Sequence, residues 1–211
     1  MIQLSPIPVH LVQGGPGSGK TSTILELLKS APSNETWAVL LNTNNQPFLA
    51  DRLSHGAANS PGKVLFRISN GGCFCCSGAP DLASGLRTLV ETLRPDRILV
   101  EPAGLSDPVN MLEQVKSREL DGEVQLASTI GILDVRKAGH QRFREMPYLR
   151  RLLDSSDIIL GTKAKLADTA TVSRFQGRME SWLSGAKPFS LDSRNLVEGT
   201  WQTFSPGLVP A

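Results

Sequence analysis

The sequence has few cysteines, few aromatic residues and almost no excess of charge. Its 211 residues include three cysteines and 5% aromatic residues, and 22 basic residues nearly balance 20 acidic ones. Three clustered cysteines cannot form a disulfide framework, so we expect a reducing, cytoplasmic environment. The net charge of +2 gives no argument for nucleic acid or a membrane as a partner. No run is long and apolar enough to predict a transmembrane helix.

The most informative motif is a glycine-rich loop near the start of the chain. Residues 14–21 read Gly-Gly-Pro-Gly-Ser-Gly-Lys-Thr, a complete G-x-x-x-x-G-K-[ST] motif, with an apolar strand predicted before it and a helix after it. Backbone N–H groups of such a loop bind phosphate, and the helix N-terminus adds partial positive charge. We predict that Lys20 binds the β and γ phosphates and that the Thr21 hydroxyl binds Mg²⁺. The predicted nucleotide-binding residues of this loop are Gly14, Gly15, Pro16, Gly17, Ser18, Gly19, Lys20, Thr21 and Ser22.

Apolar, β-branched runs alternate with amphipathic stretches along the chain. This order predicts an α/β fold of the P-loop NTPase type, with a three-layer, doubly wound and mainly parallel sheet. Strands are predicted at 8–13, 36–42, 63–69, 97–101, 125–135, 157–162 and 187–191, and helices at 20–30, 80–93, 108–118, near 143–153 and at 167–183. We expect one nucleotide-binding domain over residues 1–194 and an irregular tail over residues 195–211.

A second motif ends the fourth predicted strand with an acid, Glu101, and places Gly104 three residues later. In phosphate-binding sheets an acid at this position holds Mg²⁺, usually through water, and the glycine N–H contacts the γ phosphate. Asp134, at the end of the next strand, is the second candidate for Mg²⁺. The alternative is that Glu101 is a surface acid and Gly104 an ordinary turn residue.

The three cysteines, Cys73, Cys75 and Cys76, lie within four residues of a glycine turn. Three thiols so close together cannot all pack into a core, and thiolates suit Zn²⁺ or another soft ion such as Cu(I). No fourth ligand lies at a conventional spacing, so we predict an open site suited to metal transfer, with His55 as a weaker candidate for the fourth position. The alternative is a redox-sensitive thiol cluster that binds no metal.

A fourth motif follows the strand predicted at 157–162, where guanine-specific P-loop proteins carry [NT]-K-x-D. Thr162 and Lys163 match, and we assign both to nucleotide binding, with the lysine stem packed along the base. Lys165 stands where the guanine-recognising acid is expected, and Asp168 comes three residues too late. We therefore expect weak selectivity between GTP and ATP. The alternative is an ordinary strand-to-helix turn.

Taken together, the P-loop, the cysteine turn and the segment 100–108 resemble the CobW-like branch of the SIMIBI-class metallochaperone GTPases, whose relatives include the nickel chaperones HypB and UreG. Gly72–Cys76 matches the family pattern G-C-x-C-C, and Glu101–Pro108 matches its acidic strand end except at Pro102. The resemblance extends from about residue 9 to residue 166 and implies three bound groups: GTP (or ATP), Mg²⁺ and Zn²⁺. It also implies that hydrolysis is coupled to metal delivery.

The resemblance gives each candidate residue a role. Lys20, Thr21 and Glu101 would serve catalysis, and Thr21 and Glu101 would also hold Mg²⁺. Cys73, Cys75 and Cys76 would hold Zn²⁺, and the expected partners are a client metalloprotein and, in a homodimer, a second copy of the chain. We expect the coupling to pass between neighbouring strands, because the cysteine turn and Glu101 follow strands taken to be adjacent. The family's usual C-terminal domain is not expected here.

Departures from the family pattern keep two other functions open. The acidic segment that usually follows the second strand reads Asn42-Thr43-Asn44-Asn45, which favours a non-catalytic module that binds nucleotide or metal. The arginines between Arg136 and Arg151 resemble the lid of a small-molecule kinase, although the cysteine turn has no role in such an enzyme.

Overall fold

The computed structural model describes residues 5–42, 46–69, 82–104, 106–116, 122–137, 146–183 and 189–191. Strands and helices alternate along the chain. The strands are β1 (Ile7–Gly14), β2 (Thr36–Asn42), β3 (Lys63–Ser69), β4 (Arg97–Glu101), β5 (Val124–Asp134), β6 (Ile158–Thr162) and β7 (Phe189–Ser190). The helices are α1 (Lys20–Leu28), α2 (Gln46–Ala58), α3 (Leu82–Leu93), α4 (Pro108–Val115), α5 (Pro147–Ser155) and α6 (Thr169–Trp182), with a 3₁₀ turn at Ala164–Leu166.

The strands form one seven-stranded sheet in the order β3-β2-β4-β1-β5-β6-β7. Every strand pair is parallel, which confirms the predicted doubly wound α/β fold. The carboxyl ends of all strands therefore meet at one edge of the sheet, where ligands bind in folds of this type. This edge carries the glycine-rich loop after β1 and Glu101 at the end of β4.

Both faces of the sheet are covered, which gives the three predicted layers. On one face, β1, β2 and β4 pack against buried side chains of α3 and α4, such as Leu86 and Met111. The same face continues under α5 and α6, where Phe175 is fully buried. The other face holds α1 and α2, with Ile24 and Leu53 in its core. Burial on both faces explains why the strand sequences are continuously apolar rather than alternating.

The predicted element bounds hold best for three of the strands. The bounds of β2, β3 and β4 are those predicted, whereas α1 ends two residues early, at Leu28 rather than Ser30. Helix α2 was missed, and the helix predicted near 143–153 begins at Pro147. Residues 184–188 and 192–211, which include the predicted tail, lie outside the described residues. Within the described part, no helix combines the length and apolarity needed to cross a membrane.

Candidate functional site

The loop between β1 and α1 is held open by glycines. Gly19 is the N-cap of α1 and has φ 107°, a backbone conformation that residues with a side chain rarely adopt. Helix α1 begins at once with Lys20, so the free N–H groups of its first turn lie beside the loop. The local sequence therefore builds the strand–loop–helix geometry in which backbone donors converge on an anion.

Lys20 lies under this loop rather than in solvent. Its side chain is buried, with 6% of the residue exposed. Its Nζ donates to the carbonyl oxygens of Gly14 at 3.0 Å and Gly15 at 3.3 Å. Burial lowers the pKa of Lys20, and the negative charge of Glu101 opposes that shift. The ammonium group is thus held by neutral carbonyls, which are weaker partners for a cation than phosphate oxygens are.

Thr21 and Glu101 are brought together although 80 residues separate them. The Thr21 hydroxyl lies 3.0 Å from Oε1 and 2.9 Å from Oε2 of Glu101. Burial raises the pKa of Glu101, and the charge of Lys20 and the hydrogen bond from Thr21 act in the opposite direction. A hydroxyl and a carboxylate side by side at a phosphate-binding loop are hard oxygen donors, the ligand type that Mg²⁺ prefers. The donor set therefore fits the predicted magnesium ion.

Gly104 lies against the same loop. A Cβ atom built on Gly104 would stand 3.0 Å from both the Cγ and the N atom of Pro16. Because part of that contact is backbone, a side chain here would push the two segments apart. Glycine therefore allows the segment after β4 to lie directly on the P-loop, next to the predicted phosphate position.

The end of β6 also reaches the loop. The Thr162 hydroxyl donates to the carbonyl oxygen of Ser18 and, at 3.2 Å, to that of Leu133. Lys163 has φ 61°, and its Nζ donates to the carbonyl oxygen of Gly17 and, at 3.1 Å, to Oδ2 of Asp134. The two matched residues of the guanine motif thus hold the P-loop from the β6 side.

Asp134, the second candidate for Mg²⁺, has other partners. Its carboxylate accepts from Nε of Arg136 at 3.0 Å and from the Lys163 ammonium. Burial works against ionisation of Asp134, but the hydrogen bonds from Arg136 and Lys163 outweigh it and lower the pKa to about 2. Of the two acids, Glu101 contacts the Thr21 hydroxyl, whereas the Asp134 carboxylate is paired with the side chains of Arg136 and Lys163.

A cavity of about 410 Å³ opens between α1 and the end of β6. Glu26, Lys163 and Lys165 contribute its charged groups, and Leu160 and Leu191 contribute apolar lining. Its position beside Thr162 and Lys163 is where the matched motif would hold a nucleotide base. Asp168 does not replace the missing acid there, because its carboxylate caps α6 by accepting from the Thr171 N–H at 2.7 Å.

Three further side chains lie at the loop but belong to no sequence motif. The Lys137 ammonium lies 3.4 Å from the carbonyl oxygen of Pro16, and the Arg52 guanidinium lies 3.1 Å from the Ser22 hydroxyl. Tyr148 of α5 bonds the backbone of Gly14, and its pKa is raised to about 12 chiefly by burial. These residues come from three distant elements, so no spacing along the chain could have indicated them.

The arginines that resembled a kinase lid form ion pairs instead. Arg136 pairs with Asp134 at 2.8 Å, and Arg151 pairs with Asp107 at 3.0 Å. Arg150 approaches Asp154 more loosely, at 3.9 Å on the exposed face of α5. The described arginines of this stretch therefore hold acids of the fold, which weakens the kinase interpretation.

A second polar cluster lies in the middle of the sheet. His10 is fully buried, with Nδ1 2.7 Å from the Ser128 hydroxyl and Nε2 2.6 Å from an Arg97 guanidinium nitrogen. Because arginine can only donate, Nε2 accepts and the imidazole is neutral with its proton on Nδ1. Burial, followed by the charge of Arg97, lowers the pKa of His10 well below its usual value. His10 is therefore a structural residue of the sheet.

Cys73, Cys75 and Cys76 lie outside the described residues, as does the segment 43–45. In the part of the chain that the structure covers, no group of three or more histidine, cysteine or acidic side chains could hold a metal ion. His55 is exposed on α2. The expectation that the cysteine turn and Glu101 follow adjacent strands is wrong, because β2 lies between β3 and β4.

The chain is similar to proteins of one family. The family model described as CobW/HypB/UreG, nucleotide-binding domain, matches residues 8–189. The zinc chaperone YeiR of Escherichia coli strain K12 is 34% identical over 155 residues, which are 74% of this chain and 46% of YeiR. The chain thus spans less than half the length of this relative.

Two solved structures show the same fold. The hydrogenase maturation factor HypB from Archaeoglobus fulgidus superposes with a TM-score of 0.62 at 16% identity, over 94% of this chain and 90% of that one. The Zn(II)-bound YjiA GTPase from Escherichia coli superposes with a TM-score of 0.56 at 21% identity, over 84% of this chain and 55% of that one.

Proposed function

Because this chain belongs to the CobW/HypB/UreG family of nucleotide-binding domains, we propose that it is a P-loop nucleoside triphosphatase that handles a thiophilic metal. The nucleotide is GTP or ATP, and the metal is zinc or an ion of similar chemistry. Lys20 and Thr21 bind the phosphates and Mg²⁺, Glu101 supports Mg²⁺ and orients water, and Gly104 responds to the γ phosphate. The nucleotide state controls how tightly Cys73, Cys75 and Cys76 hold the metal.

The observation that carries this proposal is the contact between Thr21 and Glu101 beside the buried Lys20 ammonium. Two oxygen ligands and one cation converge at the N-terminus of α1, under a loop of phosphate-binding sequence. A surface acid at a strand end would have no reason to reach the first turn of α1. This arrangement supports the phosphoryl-transfer interpretation over that of a glycine-rich turn.

When nucleotide binds, Lys20, Thr21 and Glu101 exchange their present hydrogen-bond partners for the ligand. Lys20 leaves the carbonyls of Gly14 and Gly15 for phosphate oxygens, a charge-assisted contact that is stronger than the one it replaces. Thr21 and Glu101 would hold Mg²⁺, and the Glu101 carboxylate would also orient water. When bound there, Mg²⁺ would supply positive charge against the phosphates.

The metal part of the proposal rests on the three thiols and on the relatives. YeiR, at 34% identity, is a zinc chaperone by name, and three thiolates in four residues are a soft donor set that suits Zn²⁺. Three ligands leave one coordination position for a client protein. We propose that this position is where the ion is handed over.

The test is a phosphate-release assay with GTP and ATP, with and without Zn²⁺, on the wild type, Glu101→Gln and Cys75→Ser. We expect Mg²⁺-dependent hydrolysis that falls about 100-fold in Glu101→Gln, the scale of losing one electrostatic catalytic group. Glu91→Gln, an exposed acid on α3, is the matched control and should hydrolyse normally. Nucleotide binding without hydrolysis would favour the non-catalytic module, and phosphate transfer only to an added acceptor would favour a kinase.

A further inference from the structure

The turn after β5 brings a lysine to the P-loop from the side opposite α1. The Lys137 ammonium lies 3.4 Å from the carbonyl oxygen of Pro16, although 121 positions separate the two residues. Gly104 lies against the same residue, since a Cβ atom built on Gly104 would stand 3.0 Å from the Pro16 N atom. The turn after β5 and the segment after β4 therefore meet at one residue of the phosphate-binding loop.

The backbone of this turn is fixed by Asp134, the buried last residue of β5. The Lys137 N–H donates to the Asp134 carbonyl oxygen at 3.0 Å, and the Arg136 N–H donates to Oδ1 of Asp134 at 3.1 Å. The Arg136 side chain adds an ion pair of 2.8 Å to Oδ2. Lys137 therefore leaves the sheet from a defined point, and its contact with Pro16 shows that its side chain extends toward the P-loop.

Lys137 differs in its partners from the other cations at this edge of the sheet. Arg136 and Lys163 both pair with the Asp134 carboxylate. Among the residues that the structure describes, no carboxylate lies within ion-pair distance of Lys137, and its ammonium contacts a neutral carbonyl. A cation held only by a carbonyl can exchange that partner for a phosphate oxygen, which is the stronger acceptor.

The sequence of the loop makes a side-chain cation useful at this point. Proline has no N–H, so Pro16 cannot contribute a backbone donor to a bound phosphate. Lys20 contacts the loop at Gly14 and Gly15, whereas Lys137 contacts it at Pro16. Because lysine carries its charge on a flexible four-carbon stem, the Lys137 ammonium can turn toward a phosphate oxygen while its backbone stays in place.

We propose that Lys137 is a further catalytic residue, which contacts the γ phosphate and stabilises the negative charge that develops during hydrolysis. In this reaction the oxygen of water bonds to the γ phosphorus, and the bond from that phosphorus to the bridging oxygen breaks. The electron pair of the broken bond stays on the leaving nucleoside diphosphate, and the proton of the attacking water ends on the released phosphate. A cation supplied by the same chain beside these oxygens accelerates phosphoryl transfer. This role rests on the proposed function.

The first measurement separates catalysis from binding. In Lys137→Ala we expect kcat for GTP, measured by phosphate release, to fall about 100-fold or more. The dissociation constants of GDP and of a non-hydrolysable GTP analogue should stay within about threefold of the wild type, because the contact strengthens chiefly in the transition state. Lys116→Ala, an exposed lysine at the C-cap of α4, is the matched control and should hydrolyse GTP normally.

Two conservative variants distinguish charge from support of the loop. Lys137→Arg keeps the positive charge and should retain about a tenth or more of the wild-type kcat. Lys137→Gln keeps a donor for the Pro16 carbonyl without the charge, and it should be as slow as Lys137→Ala. Thermal unfolding should give the wild-type Tm for all three variants, because Lys137 is exposed. If Lys137→Ala does not fold, Lys137→Gln takes its place.

The second measurement uses GDP with aluminium fluoride, which imitates the phosphoryl group in transfer. Calorimetric titration should show that aluminium fluoride tightens GDP binding by the wild type and by Lys137→Arg. It should leave the GDP affinity of Lys137→Ala and Lys137→Gln unchanged, because the cation that stabilises the transferred group is missing.

The outcomes separate the role of Lys137 from the proposed function. Hydrolysis at the wild-type rate in folded Lys137→Ala would overturn the catalytic role and leave the proposed function standing. Normal hydrolysis in Lys137→Gln, or a loss of GDP affinity as large as the loss of kcat/KM in Lys137→Ala, would show that Lys137 only supports the loop. A wild type that binds GTP without hydrolysing it would refute the proposed triphosphatase, and the role of Lys137 with it.

Discussion

Strand β1 carries two polar clusters whose charged groups have different kinds of hydrogen-bond partner. In its middle, His10 is fixed between Ser128 and Arg97, and each of these partners is a side chain of an adjacent strand. At its carboxyl end, Lys20 donates to carbonyl oxygens of the P-loop itself, whereas Lys163 donates both to the P-loop and to the Asp134 carboxylate. The first cluster has partners that only unfolding can remove. In the second cluster, the partners of Lys20 are backbone carbonyls, which phosphate oxygens can replace.

The difference separates buried polar groups that stabilise the fold from buried charges that can bind a ligand. A buried polar group that is matched by other side chains stabilises one arrangement of the sheet. A buried cation that is matched only by backbone carbonyls retains most of its capacity to bind an anion. The mid-strand cluster therefore serves the fold, and we propose that Lys20 in the loop cluster serves a ligand.

The largest expected effect comes from removing the loop cation. Lys20→Ala should weaken nucleotide binding about 100-fold, because a hydrogen bond to a charged group is worth about 1.5–3 kcal/mol. The melting temperature should change little, since the carbonyls that Lys20 contacts can bind water instead. Calorimetric titration with GTP and GDP measures the first effect, and thermal unfolding the second. Lys29→Ala, on the exposed end of α1, is the control, and unchanged affinity in Lys20→Ala would refute the P-loop assignment.

The mid-strand cluster should respond to pH rather than to nucleotide. Above about pH 6.5 histidine is neutral in the folded and unfolded chain alike. Below that pH the unfolded chain takes up a proton that buried His10 does not, because its folded pKa is lowered. The free energy of unfolding should therefore fall by about 1.4 kcal/mol per pH unit as the pH drops below 6.5.

Urea unfolding of the wild type and His10→Gln between pH 7.5 and about pH 5 measures this slope. We expect a shallower slope in His10→Gln, because an amide keeps polar partners for Arg97 and Ser128 without titrating. Equal slopes in the wild type and His10→Gln would mean that His10 takes up its proton in the folded protein.

The smallest expected effect concerns selectivity for the base of the nucleotide. Lys165 and Glu26 both line the cavity beside Lys163, and Asp168 is engaged as a helix cap. The wild type should therefore prefer GTP over ATP far less than the roughly 10⁴-fold that a matched polar site provides. Lys165→Asp should raise that preference about tenfold or more, measured by competition binding of the two nucleotides. A strong preference in the wild type would show that Glu26 or a backbone group already serves as the acceptor.

Much of the fold could be predicted because its signals are local. The continuous apolar runs of β2 and β4 give their bounds, and the Gly-Lys-Thr sequence gives the start of α1. Helix α2 was missed because it contains Pro47 and Gly56, which are typical of turns. In the structure Pro47 occupies the first turn, where a missing N–H costs nothing, and Gly56 leaves room for Leu25 of α1. The packing of Gly56 against α1 is a tertiary contact, which the sequence alone does not show.

The candidate site likewise combines residues that sequence motifs predict with contacts that only the structure shows. Lys20, Thr21 and Glu101 belong to motifs of fixed spacing, so their residues could be named from the sequence. The strand order could not, and the expected adjacency of β3 and β4 was wrong because β2 lies between them. Tyr148 reaches the backbone of Gly14 from α5, which lies far from the P-loop in the sequence. No spacing rule connects Tyr148 to the P-loop.

The central claim is that one chain couples a nucleotide at the P-loop to a thiophilic ion at the cysteine turn. The most direct test is the full binding cycle of the wild type: Zn²⁺ affinity in the GDP and GTP-analogue states, and the affinities for GDP and for the GTP analogue with and without Zn²⁺. We predict one Zn²⁺ per chain, which is lost in Cys75→Ser and bound more weakly at lower pH, because thiols must lose protons to become ligands. By linkage, Zn²⁺ must change the relative affinity for the two nucleotides by the same factor by which they change zinc affinity. Equal zinc affinity in both states, or no zinc bound at all, would contradict it.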